Sequence, residues 1–158
     1  MKTNLIAVLL AALLGASPSA WAQDRAAEVA NLQALQTAAK KNKKALVAAT
    51  LKLTDAEAKK FWPIYDAYQR DIDMLTRRGN VALEGLVARD KPMSDLYAKN
   101  FANELIAIEE QEIKSRRKMH NAVMRALPPK KAALYLQLES KLRAVQDYDI
   151  AVAFPLIQ

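Results

Sequence analysis

Residues 53–89 read LTDAEAKKFWPIYDAYQRDIDMLTRRGNVALEGLVAR, and this stretch decides the fold. Thr54 precedes a helical pattern, and Glu57 stands three residues on. The Thr54 hydroxyl can therefore accept from the Glu57 backbone N–H while the Glu57 carboxylate returns to the Thr54 N–H, which is a capping box. Asp55 adds negative charge at the positive end of the helix dipole. Leu53, Thr54 and Glu57 thus mark a helix that begins at Asp55. Its apolar positions are Phe61, Tyr65, Tyr68, Ile72, Leu75, Gly79, Ala82 and Leu86, at alternating intervals of four and three. That is a heptad seam made to pack along another long helix. Pro63 cannot donate to the Lys59 carbonyl, so a kink is expected near Phe61 and Trp62, and the helix should end around Arg89 before Pro92.

Working outward, the sequence predicts an all-α fold of four helices in long antiparallel hairpins. Ser94 and Asp95 can cap a third helix reaching about Ala126, with apolar contacts at its ends from Phe101, Leu105, Ile108, Met119, Val123 and Leu127. Its middle, EEQEIKSRRK at 109–118, is charged, and Glu110–Lys114 and Glu112–Arg116 are i,i+4 pairs in the favourable order. Pro129 suits the first position of a fourth helix, whose face carries Leu134, Tyr135, Leu138, Leu142 and Val145. The apolar tail from Ala151 to Gln158 is expected to fold back on the helices. Upstream, nothing breaks a first helix from Asp24 to about Ala49. Its stripe of Val29, Leu32, Leu35 and Gln36 is thin, with a basic shoulder at Lys40-Lys41-Asn42-Lys43-Lys44.

The first 22 residues read as an address. LIAVLLAALL at 5–14 is half the length of a membrane span, and Ala20-Trp21-Ala22 is a small-residue cleavage site. Residues 1–22 are therefore expected to be a cleaved secretory signal, and residues 23–158 a single helical domain outside the cytoplasm. Export changes the meaning of the charge, which is +7 for 158 residues. Nucleic acid is set aside as a partner, leaving acidic stretches of proteins, anionic lipid surfaces or plain solubility.

Composition offers little for catalysis. There is no cysteine, one histidine and three glycines, so thiolate metal sites, disulfides and glycine-rich phosphate loops are absent from the sequence. His120 reads as a surface histidine beside Met119 and Met124. Asp71 and Asp73, and Glu109, Glu110 and Glu112, read as solvated carboxylates matched by nearby bases. Nothing pairs with Ser94 or Ser115 to make a nucleophile. Phe61, Trp62 and Tyr65 read as core packing around Pro63. No enzyme activity, cofactor or metal is expected.

Leu53-Thr54-Asp55-Ala56-Glu57 resembles the first LTxxQ motif of the Spy/CpxP family of periplasmic proteins, with Glu57 in place of the motif's Gln. The family's second motif, L-T-P-E-Q, falls on Leu127-Pro128-Pro129-Lys130-Lys131, where Leu127 and Pro129 match. The resemblance covers about residues 51–143. It implies a Spy-like fold, a periplasmic homodimer, and an ATP-independent chaperone or an envelope-stress modulator that binds unfolded or envelope proteins. On this chain the client-binding candidates are Arg77, Arg78, Arg116, Arg117 and Lys118, which accompany apolar side chains on the long helices. The competing expectation is a non-enzymatic regulator or sensor docking on an envelope partner or, through Lys40–Lys44, on a membrane surface.

Overall fold

The structure is a computed structural model that describes residues 18–90 and 92–154, with side chains from Ala27 onward apart from Glu28. The described residues form four helices and no strand: α1 (Pro18–Leu51), α2 (Asp55–Val87), α3 (Asp95–Ala126) and α4 (Pro129–Ala153). Most of the expected leader lies outside the described residues. None of these helices is long and apolar enough to cross a membrane.

α1 corrects the expectation of an unbroken first helix. Asn42 is extended (φ −163°, ψ 90°) and splits it in two. Asn bonds readily to nearby backbone outside helical geometry, and here it sits among four lysines whose mutual repulsion weakens the same turn. The chain divides at this point into two units, one up to Lys43 and one from Lys44. In the first, Val29 is exposed and Leu32, Leu35 and Gln36 are half-buried, so the stripe is as thin as its composition suggests.

The second unit holds the core. α1 ends at Leu51 because Lys52 turns left-handed (φ 44°), with its N–H still bonded to the Ala48 carbonyl at 3.1 Å. That is the αL way of ending a helix, taken here by a lysine at a cost of about 1 kcal/mol relative to glycine. Thr54 then restarts the chain as α2 with both halves of the capping box formed. α2 continues as one helix through Pro63, whose ring lies on an exposed side. It stops at Val87, two residues short of the expected end. α3 begins and ends where the sequence places it, with Ser94 as N-cap, and Pro129 opens α4.

α2 and α3 pair antiparallel: Gly85 lies near Tyr97, Arg78 pairs with Glu104 and Asp71 with Ser115, in opposite chain order. The seam residues of α2 are all buried or half-buried, led by Phe61, Tyr65, Tyr68 and Leu75. α4 and the end of α1 close over one end of this hairpin, where Val47, Leu51, Met119, Val123, Leu127, Ala132, Tyr135, Leu138 and Leu142 complete the core. Between residues 76 and 114 no described residue is buried. Within the unit from Lys44, the distal part of the hairpin is thus two helices thick among the described residues.

Two expectations for α4 are corrected. Leu134 is 39% exposed rather than part of the packed face, because Ala132, Tyr135, Leu138, Glu139 and Leu142 set the buried stripe. Ala151, Val152 and Ala153 do not fold back; they continue α4 and are exposed. Residues 155–158 of the expected tail lie outside the described residues.

Gly79 occupies a seam position, yet a methyl added there would meet nothing within 4 Å. Gly79→Ala should therefore raise stability by up to about 1 kcal/mol, the difference in helix propensity, with no clash to offset it. A urea titration followed by circular dichroism reads this as a higher midpoint; a lower one would mean that the seam is closed at Gly79.

Candidate binding surface

Leu53, Thr54 and Glu57 do more than start a helix. The Thr54 N–H donates to Glu57 Oε2 at 2.8 Å, and Lys131 Nζ reaches the same oxygen at 2.6 Å while also donating to the Lys52 carbonyl at 2.9 Å. One lysine at the start of α4 thereby ties together the strained turn after α1 and the cap of α2. Glu57 and Lys131 are the residues that stand at the Gln positions of the two motif-like segments. The Lys131 ammonium bonded to it, then the Thr54 N–H, hold the Glu57 carboxyl below its ordinary range.

A group with a lowered folded pKa stabilises the fold above its unfolded value and loses that contribution as the pH falls. The melting temperature should consequently drop between about pH 6 and pH 3, and Lys131→Met should flatten part of that drop. Glu104, held low by Arg78, titrates in the same sense, so the difference between wild type and Lys131→Met isolates the Glu57 share. Equal slopes would show that the tie does not hold in solution. Thr54→Ala should cost about 1 kcal/mol as a lost N-cap.

Above this tie lies an aromatic hub. Phe61 and Tyr135 are fully buried and meet edge to face with centroids 5.0 Å apart; Tyr65 stands 6.0 Å from Phe61 and 6.3 Å from Tyr135. Burial, and behind it the Glu139 carboxylate, pushes the hydroxyls of Tyr65, Tyr68 and Tyr135 well above the ordinary tyrosine range. They stay protonated and serve as packing groups. Trp62 lies on the edge of the hub beneath Lys44, whose Nζ is 5.1 Å from the indole centroid and 2.7 Å from Asp66.

The five basic candidates do not form one patch. Arg77 and Arg78 line a shallow cleft with Val81, Ala82 and Glu104, and Arg78 makes a two-pronged pair with Glu104, one prong at 2.7 Å. Lys118 belongs to a second cleft on the same side of the hairpin, with Pro63, Ile64, Ala67 and Ala122. It lies about 20 Å from the first along the helix axis, as the residues between 104 and 118 require. Arg116 and Arg117 lie beside α4 instead, in a third cleft shared with Leu136, Ser140 and Arg143. Consecutive helical residues point about 100° apart, so a run of three bases cannot serve a single face.

The side carrying Arg78 and Lys118 also carries Met74 and Val81, exposed by 52% and 69%. They stand one heptad apart, next to the seam but outside it. Their heptad spacing is the signal of this face in the sequence, each residue standing one position before a seam residue, Leu75 or Ala82. Among the described residues no group of three or more His, Cys, Asp or Glu side chains is placed to hold a metal ion. His120 is exposed, with Met119 buried and Met124 exposed beside it.

The chain matches no family model, no curated protein and no solved structure.

Proposed function

We propose that this protein is an ATP-independent chaperone-like or envelope-stress protein of the periplasm that holds unfolded protein segments on the distal α2–α3 hairpin. The observation that carries this reading is the hairpin from Met74 outward, where no described residue between 76 and 114 is buried and Met74, Val81, Val87, Leu96 and Ile106 are exposed among bases. Unfolded chains present apolar groups and carboxylates. Positive charge at Arg77 and Lys118 speeds their encounter, while Arg78 is paired with Glu104 and Met74 and Val81 offer small, separated apolar contacts. Each contact buries little area, so at about 25 cal/mol per Å² binding stays loose and a client leaves as it buries its own apolar groups.

The resemblance to the Spy/CpxP pattern supports the same reading, as does the contact between Glu57 and Lys131, which brings the two motif-like segments together. The family pattern also implies a homodimer, which sedimentation velocity reports directly. The deciding experiment follows light scattering as reduced α-lactalbumin aggregates, without ATP. A several-fold excess of residues 23–158 should slow aggregation; no effect at that excess overturns the proposal.

A further inference from the structure

α3 and α4 enclose a cleft of about 370 Å³ at the end of the hairpin away from the distal arm. Ile113 and Met119 from α3 and Leu136 from α4 give it an apolar strip, beside Tyr68 of α2, His120 and the buried Glu139. Its rim is basic, because Arg116 and Arg117 stand on α3 opposite the Ser140 hydroxyl on α4. Neither guanidinium makes a hydrogen bond or ion pair among the described residues, whereas Arg143 in the same wall is engaged by Glu112 at 2.7 Å and Asp147 at 3.6 Å.

We infer that this cleft binds a small amphiphilic anion, a carboxylate borne on an apolar chain. Two guanidiniums offer ten N–H donors in planar forks that match an oxyanion, and a hydroxyl faces them across the rim. Glu139 shares the wall but is buried and has its own partner, so a ligand's negative charge is met at the Arg116 and Arg117 rim. The apolar end then lies along Ile113, Met119 and Leu136. The cleft opens beside α4, whereas the client surface opens on the side of Arg78 and Lys118, although Tyr68 and Met119 line both. It also gives Arg116 and Arg117 a role different from Arg77, Arg78 and Lys118.

The test is an NMR titration of residues 23–158 with decanoate below its micelle concentration at fixed ionic strength, beside acetate and decyltrimethylammonium. Decanoate should give saturable shifts at Ile113, Leu136 and Ser140, with acetate at least tenfold weaker and the cation without effect there. The Arg116→Gln/Arg117→Gln variant should weaken decanoate binding at least tenfold. Ser140→Trp, an exposed rim position that leaves both arginines in place, should abolish it. The inference is overturned if acetate binds as well as decanoate, if the cation shifts the same residues, or if both variants bind decanoate as the wild type does.

Discussion

Phe61→Ala should remove about 3–5 kcal/mol of stability, the range for truncating a fully buried aromatic. Total stabilities of small domains are about 5–15 kcal/mol, so the variant should be partly unfolded at room temperature. The size of the effect follows from position. Phe61 is wholly buried, meets Trp62, Tyr65 and Tyr135 at centroid distances of 5.1, 6.0 and 5.0 Å, and stands where α2 and α4 come together. Little of that cavity can collapse, because Tyr135 on its far side is fully buried too. Leu86 is a seam residue of the same helix but only half-buried, so Leu86→Ala should cost about 1–2 kcal/mol. Urea titrations of the two variants compare the packed end with the distal arm; equal losses would mean that the arm is as well packed as the hub.

Met74→Glu/Val81→Glu should lower anti-aggregation activity several-fold while leaving the melting temperature nearly unchanged. Both side chains are more than half exposed and lie outside the seam, so the folded state loses little when they become polar. Their replacement removes apolar contact and sets two carboxylates beside Arg77, so a client that is both acidic and apolar is repelled on two counts. Leu134→Glu is the matched control. Leu134 is also exposed, on α4 and away from the hairpin face, and its substitution should leave activity intact. Activity lost equally in both variants would point to general surface hydrophobicity rather than to this face.

Local signals were legible in the sequence and cross-chain ones were not. Thr54 and Glu57 announce the start of α2, Ser94 that of α3 and Pro129 that of α4, because each acts on backbone within one turn. The α2 seam was legible because its apolar period is unbroken. The α3 seam was not: two of its positions are Glu112 and Ser115, a charged residue and a small polar one. Glu112 is satisfied by Arg143 of α4, and the Ser115 hydroxyl donates to Asp71 of α2 at 3.3 Å. No periodicity within α3 reveals partners that far away in sequence.

Lys131 is the same kind of case. Within its own segment it looks like a lost motif residue, and only the fold brings it to Glu57. Asn42 failed in the opposite way, since a single residue of modest helix propensity carries too weak a local signal to predict a break. As for the binding surface, residue types were legible but grouping was not. Arg116, Arg117 and Lys118 are neighbours in sequence, and the helix sends them to different sides.

The most direct test of the central claim places a photo-crosslinking residue in turn at Met74, Val81, Leu134 and Tyr148 and irradiates each variant with reduced α-lactalbumin. Crosslinks concentrated at Met74 and Val81 are the predicted result. Crosslinks at Leu134 and Tyr148 equal to those at Met74 and Val81, or none at all on the hairpin, would contradict it.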